Sequence, residues 1–190
     1  MSDFKAYFHR HSRILSNFQG EQTILNLVDD IENFAKNPNS LVFTVGNGGS
    51  ASTAEHFSAD LSLMERRTGT QVRSVCLNSS TALNTALSND ISYETALVNQ
   101  INLYKNFNYL LVTFSASGNS KNILQTIEKA LANQKKVYSF VGFDAGATKN
   151  IKQLNLIHYY DPLKDYGIAE NLQLSATHYV IDLLIKRFRK

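Results

Sequence analysis

Leu41–Asp60, LVFTVGNGGSASTAEHFSAD, is the stretch that decides the fold. Its first five residues are a β-branched, apolar run, which predicts a buried strand. The chain then turns at Gly46–Gly49 and continues from Ser50 with the pattern of a helix. A glycine turn before a helix N-terminus presents backbone N–H groups to a ligand, and the helix dipole favours negative charge there. The stretch therefore predicts an anion-binding turn at one edge of a sheet.

Two titratable residues follow the turn. His56 and Asp60 are four residues apart in the predicted helix and therefore lie on one face of it. Titratable groups beside an anion-binding turn suggest chemistry on a phosphorylated small molecule. A helical His–Asp pair is also common as a surface hydrogen bond, so the spacing alone leaves both interpretations open.

The remaining chain alternates between strand and helix patterns. Apolar runs predict further strands at 72–77, 109–114, 137–141 and 154–159, with helical segments between them and a last helix over 168–188. Helical spacing over 3–36, broken at Gln19-Gly20, predicts two helices ahead of the first strand. The pattern indicates an α/β fold, a doubly wound, flavodoxin-like parallel sheet of five strands with an N-terminal helix pair. We predict one domain over 1–190, with the helix pair in 1–37 and the core in 38–190.

The composition limits the classes of partner. The apolar fraction is 43% and the charged fraction 18%, as in ordinary globular proteins. A net charge of +3 is too small to indicate nucleic-acid binding, and no apolar run is long enough for a membrane span. The polar N-terminus lacks a signal-peptide pattern, and the single cysteine, Cys76, excludes an intrachain disulfide. We therefore expect a cytoplasmic protein without nucleic-acid or membrane partners.

Three segments are predicted at the carboxyl edge of the sheet, where ligands bind in such folds. They are the glycine turn, Asn89-Asp90 and the loop 115–120. The loop offers the hydroxyls of Ser115, Ser117 and Ser120 beside a helix start, which suits a phosphate held without lysine or arginine. Helix capping is the alternative, but a cap needs only one such residue, so we favour phosphate binding.

The last helix adds Glu170 and His178. His178 lies in a nearly uncharged run, where a core histidine and a functional one fit the spacing equally well. The glycine turn has neither the G-x-G-x-x-G pattern nor a Gly-Lys-Ser/Thr ending, which argues against dinucleotide binding and nucleoside triphosphate hydrolysis.

Together these motifs resemble the sugar isomerase (SIS) domain family, and within it the phosphoheptose isomerases. The likeness consists of GNGGSA followed by a histidine and an acid, the Asn-Asp pair, SxSGNS, and an acid with a histidine eight residues later. It extends along nearly the whole chain. The resemblance implies aldose–ketose isomerisation of sedoheptulose 7-phosphate to D-glycero-D-manno-heptose 7-phosphate through an enediol. It also implies a homotetramer with sites between subunits, assembled through the N-terminal helices.

The resemblance implies a role for each matching position. Asp60 and His178 would be the acid–base pair, and zinc would be bound by His56, Asp60, Glu170 and His178. The substrate would contact a larger set, namely Asn47, Gly48, Gly49, Ser50, Asp60, Asn89, Asp90, Ser115, Ala116, Ser117, Ser120 and Glu170. A non-catalytic SIS-type adaptor that binds a DNA-replication initiator protein, or a sugar-phosphate-binding regulator, remains the alternative.

Some positions depart from the family pattern. Asp60 replaces the more usual Glu and reaches one methylene less far, Glu170 replaces a frequent Gln, and Ala116 replaces a frequent Thr. Matching Gln173 instead of Glu170 would put Ile181 in the histidine position, so we prefer Glu170.

The spacing of Glu170 and His178 is a further constraint. Eight residues span about 12 Å of straight helix, so both cannot bind one ion from the same regular helix. Either Glu170 lies in an irregular helix start, or the two residues come from different subunits.

Overall fold

The strands form one parallel sheet, as the sequence predicts. The computed structural model describes residues 3–189; Met1, Ser2 and Lys190, which belong to the predicted domain range, lie outside the described residues. The strands are β1 Ser40–Gly46, β2 Ser74–Cys76, β3 Asn108–Ser115, β4 Val137–Val141 and β5 Asn155–His158. Their order is β2-β1-β3-β4-β5, and every pairing is parallel. The strand order reverses between β1 and β3, so the ligand crevice is expected at their carboxyl ends.

Eight α-helices and one 3₁₀ helix connect the strands within the described residues. They are α1 Phe4–Ser16, α2 Glu21–Ala35, α3 Gly49–Ser62, α4 Met64–Thr68, α5 Thr81–Asp90, α6 Ala96–Asn102, α7 Lys121–Ala132, the 3₁₀ helix Gly146–Asn150 and α8 Tyr166–Phe188. The predicted N-terminal helix pair is confirmed as α1 and α2. No helix among these is long and apolar enough to cross a membrane.

Apolar layers cover both faces of the sheet. Along β3, Leu110 and Val112 point into the core beneath α2, α3 and α8, whereas Tyr109 and Leu111 point into the core beneath α6 and α7. Side chains alternate between the faces of a strand, and both faces here are buried, so the strand is apolar almost throughout.

Several boundaries differ from the sequence prediction, and three of them have a physical explanation. Asn89-Asp90 was predicted as a loop, but these residues end α5; Asn89 donates to the Asp90 carboxylate (2.9 Å), a side-chain bond that does not compete with the helix. Strand β2 is shorter than predicted because it pairs only with β1. Helix α8 begins two residues earlier than predicted, because Asp165 caps it by accepting the Ile168 N–H (3.2 Å).

Candidate active site

The glycine turn and the serine loop meet at the carboxyl ends of β1 and β3. They form a cleft of about 300 Å³, here called the serine cleft. Its lining is Asn47, Gly48, Gly49, Ser50, Phe114, Ser115, Ala116, Ser117, Ser120, Tyr166 and Glu170. Nine of these eleven residues belong to the predicted substrate-binding set; Phe114 and Tyr166 do not. No lysine or arginine among residues 3–189 lines the cleft, so an anion bound there would depend on hydroxyl and N–H donors.

The serine hydroxyls keep donor capacity for a ligand. Ser115 Oγ accepts the Gly118 N–H (3.1 Å), and Ser117 Oγ accepts the Asn119 N–H (3.3 Å). Both serines use a lone pair in these bonds, and their hydroxyl hydrogens remain free to donate. Ser120 is the N-cap of α7, but its side chain makes no cap hydrogen bond. Helix capping therefore does not account for the three serines.

The carboxamide of Asn47 is held by the protein. It exchanges two hydrogen bonds with the buried Asn122 (2.9 Å each), and its oxygen also accepts from the Tyr93 hydroxyl (3.1 Å). The sequence analysis did not identify Asn122 or Tyr93, because neither lies in a recognised motif. The Asn47 side chain therefore borders the cleft in a fixed orientation.

Glu170 places a carboxylate at the N-terminus of α3. A Cβ added to Gly49 would lie 2.2 Å from Glu170 Oε2, so only glycine allows this approach without a shift. Burial raises the pKa of Glu170, and its hydrogen bond from the Ser50 N–H acts in the opposite direction. The predicted anion position at the glycine turn thus contacts a carboxylate of the protein itself.

A cluster of three side chains lies farther along α3 and α8. His56 Nε2 is 3.3 Å from Asp60 Oδ2 and 3.1 Å from His178 Nε2. Both histidines are exposed, so His178 is not a core histidine. The other oxygen of Asp60, Oδ1, accepts from Arg67 Nη2 at 2.9 Å. We refer to His56, Asp60 and His178 as the His–Asp–His cluster.

Parallel packing of α3 and α8 explains where these residues lie. Glu170 is adjacent to Gly49, Ser50 Oγ donates to Gln173 (3.3 Å), and His178 contacts His56. Helix α8 is continuous from Tyr166, which excludes an irregular start at Glu170. Glu170 and the cluster are thus separated by about two helical turns, or roughly 12 Å along α8. The structure brings three of the four predicted zinc ligands together in one chain, and Glu170 lies apart from them.

Gln173 lies in the protein interior and bonds to the backbone there. Its side chain is fully buried, and its amide donates to the Phe140 carbonyl (3.1 Å). Ile181 is buried in the apolar core. Both residues are therefore buried away from solvent, whereas His178 is exposed.

Two separations within the cluster fit a zinc ion, and all three ligand atoms lie within 4.8 Å of one another. Zinc bonds of about 2.0–2.1 Å in a tetrahedron put ligand atoms about 3.3 Å apart. The two contacts of His56 Nε2, at 3.1 and 3.3 Å, are close to that separation. Two imidazole nitrogens and one carboxylate oxygen form a three-ligand set that leaves a fourth position for water or substrate.

Asn89 lies at a different cleft. A larger space of about 670 Å³ separates α3 from α5 and α6; Asn89 lines it, Asp90 does not, and Asn47 borders both clefts. Within one chain the structure therefore does not bring Asn89-Asp90 to the serine cleft.

Comparisons with known proteins point to one family. The sequence profile of the SIS domain matches residues 6–142. The chain is 31% identical over 168 residues to the phosphoheptose isomerase of Helicobacter pylori strain P12, covering 88% of this chain and 83% of that protein. It is 27% identical over 192 residues to that of Geobacter sp. strain M21, covering 97% and 95%. Among solved structures, phosphoheptose isomerase GmhA from Neisseria gonorrhoeae superposes with a TM-score of 0.83 at 21% identity, covering 95% and 96% of the two chains.

Proposed function

This chain belongs to the SIS domain family, and from that membership we propose that it is a phosphosugar isomerase converting sedoheptulose 7-phosphate to D-glycero-D-manno-heptose 7-phosphate. One observation carries the proposal: a lysine- and arginine-free serine cleft and an exposed His–Asp–His cluster lie along the same pair of helices. The choice of a seven-carbon sugar is supported by relatives named phosphoheptose isomerase that are 31% identical over most of the chain.

The serine cleft binds the phosphate in this proposal. Ser115, Ser117 and Ser120 donate hydroxyl hydrogen bonds, and backbone N–H groups at the start of α7 add to them. Ala116 contributes its backbone only. The glycine turn, from Asn47 to Ser50, binds the sugar end of the substrate. Holding the distant phosphate positions the reacting carbons, which lowers the entropic part of the barrier.

Asp60 and His178 move the proton. Isomerisation removes a proton from the carbon beside the carbonyl and returns one to the neighbouring carbon through an enediol. Carboxylate and imidazole groups can perform this transfer near neutral pH. His56 contacts both groups and orients them. A zinc ion bound by the cluster would polarise a substrate oxygen as a Lewis acid.

The complete site requires more than one subunit in this proposal. Glu170 and the His–Asp–His cluster lie apart on a regular α8, so a second copy must supply the missing partner. In this proposal a neighbouring chain also contributes Asn89 and Asp90 to the site. Large exposed apolar side chains on α1 and α8 support assembly through these helices, including Phe4, Phe8, Leu15 and Tyr179. We extend the proposal to a homotetramer in the cytoplasm, where a reducing environment suits the free, buried Cys76.

Turnover of sedoheptulose 7-phosphate is the direct test. We expect the wild-type protein to form the aldose, and His178→Ala and Asp60→Ala to lower kcat by about 10²- to 10⁴-fold, because each removes a proton-transfer group. Glu128→Ala is the matched control, since this exposed residue of α7 lies outside the cluster and outside α1 and α8.

The same experiment separates the alternatives. Absence of turnover by the wild type would refute the heptose reaction, and binding of the sugar phosphate without turnover would favour a regulator or an adaptor. Full activity of His178→Ala would leave the isomerase assignment intact but remove His178 from the mechanism. Metal analysis of the purified protein tests zinc separately.

A further inference from the structure

Arg67 forms an ion pair with Asp60, the carboxylate of the His–Asp–His cluster. Arg67 Nη2 donates to Asp60 Oδ1 at 2.9 Å, while His56 Nε2 lies 3.3 Å from Oδ2. The Asp60 side chain is only 14% exposed, whereas that of Arg67 is 37% exposed, so only the carboxylate is shielded from water. One oxygen of the carboxylate therefore accepts a hydrogen bond from the arginine, and the other faces the two histidines.

The backbone around Arg67 is held by both helices that carry the cluster. Helix α4 follows α3 after a single residue, and its first residue, Met64, is fully buried. The Arg67 carbonyl accepts two hydrogen bonds from the guanidinium of Arg189 after the end of α8 (3.2 and 3.4 Å). The backbone of Arg67 is thus connected to α3 through the chain and to α8 through Arg189, so residue 67 is held within reach of Asp60.

A guanidinium at this position opposes a bound cation in two ways. Its positive charge repels a divalent ion at the cluster. It also takes up part of the negative charge of Asp60 through Oδ1, so the carboxylate attracts a cation less strongly through Oδ2.

We propose that Arg67 competes with a divalent cation for Asp60 and thereby sets how tightly the His–Asp–His cluster holds that cation. The inference rests on the metal site of the proposed function and adds a residue that lies outside all the sequence motifs. Arg67 acts here as a positioning residue, through Asp60.

Metal affinity of the metal-free protein tests the competition directly. Zn²⁺ and Co²⁺ binding is measured by competition with a chromophoric chelator, without any sugar. We expect Arg67→Gln to bind Zn²⁺ about five- to thirty-fold more tightly than the wild type, because a repelling charge and a competing donor are removed. Arg67→Lys keeps the charge and should remain within about three-fold of the wild type. Arg66→Gln is the matched control, an exposed neighbour without an ion pair among residues 3–189.

The outcomes are distinct. Equal affinities in Arg67→Gln and Arg66→Gln would overturn the proposal, and so would equally tight binding by Arg67→Lys and Arg67→Gln. Failure of both the wild type and Arg67→Gln to bind metal would overturn it as well. A Co²⁺ absorption spectrum for each variant, with circular dichroism, verifies that the site and the fold persist.

Turnover separates this inference from the proposed function. If Arg67 also orients Asp60, Arg67→Gln lowers kcat for sedoheptulose 7-phosphate while KM changes little, since the phosphate contacts are untouched. Loss of turnover in every protein, combined with the expected change in metal affinity, would reject the sugar and retain the role of Arg67. Normal turnover with unchanged metal affinity would support the sugar and reject the role of Arg67.

Discussion

Two opposing effects act on the pKa of Glu170. Its carboxylate is partly removed from water, which disfavours the charged form, yet it accepts an N–H at the N-terminus of α3, which favours that form. Burial is the larger effect, and the pKa of Glu170 lies above its ordinary value. A glutamine here would accept the same hydrogen bond without a charge.

The raised pKa predicts a pH-dependent stability difference. The folded protein holds the proton of Glu170 more tightly than the unfolded chain, so this contribution is present below the ordinary carboxyl pKa and is lost as pH rises through the raised value. Glu170→Gln removes that loss. We therefore expect the free energy of unfolding of Glu170→Gln, measured with urea in the absence of metal, to rise relative to that of the wild type between pH 4 and pH 8.

An exposed glutamate provides the control for this measurement. Glu128→Gln, on the outer face of α7, should shift stability by the same amount at each pH. A difference between Glu170→Gln and the wild type that stays constant with pH would contradict the burial argument.

Among the elements, the 3₁₀ helix supports the serine loop. Gly118 has a φ of +65°, and a Cβ added there would lie 2.2 Å from the Ala145 carbonyl oxygen. The Gly118 carbonyl in turn accepts the Thr148 N–H (3.2 Å). The loop and the 3₁₀ helix can approach this closely only because residue 118 has no side chain.

Two glycine substitutions separate backbone strain from contact. Gly48 also has a positive φ, of +55°, but nothing lies within 4 Å of its added Cβ. We expect Gly48→Ala to lower the free energy of unfolding by about 1–2 kcal/mol, from strain alone. Gly118→Ala should cost about 3 kcal/mol or more, because a backbone clash adds to the strain. Urea denaturation measures both, and equal losses would show that the contact with Ala145 relaxes freely.

Most elements were predictable because their signals are local. Buried strands and amphipathic helices follow from residue periodicity, and the glycine and serine turns follow from residues that favour them. The helix ends were harder to predict from the sequence. Asn89-Asp90 has turn-forming residues but ends α5, because the two side chains bond to each other instead of to the backbone. The short α4, which carries Arg67, has too few residues for a periodic pattern.

For the whole molecule, the exposed apolar residues of α1 and α8 are the surface that the proposed assembly uses. Phe4 is 76% exposed and Phe8 51% exposed on α1, and Tyr179 follows His178 directly on α8. Clusters of exposed large apolar residues on single chains mark association surfaces. The proposed intersubunit site uses this face.

Disruption of the apolar face should dissociate the protein. We expect wild-type protein to be tetrameric by light scattering, and Phe8→Asp to shift it toward smaller species with a parallel loss of turnover. Leu103→Asp, at an exposed apolar residue after α6, is the matched control. A monomeric protein with full activity would refute the intersubunit site.

Mixed oligomers offer a second check on the same proposal. His178→Ala and Glu170→Ala, which we expect to be impaired alone, should regain part of the activity when their subunits are exchanged, since one chain can supply the cluster and the other Glu170. No recovery after verified exchange would place the complete site within one chain.

The sequence by itself determined the parallel sheet, the helix pair, the glycine turn and the serine loop, because each depends on residues close together in the chain. It also predicted that Glu170 and His178 cannot bind one ion from a regular helix, since helix rise sets their separation. Only the tertiary structure decided the register of α3 against α8, which joins His178 to His56 across 122 residues. That register also decided that Glu170 contacts Gly49, and the packing of α4 brought Arg67 to Asp60. These contacts depend on side-chain packing between distant helices, for which no local pattern in the sequence exists.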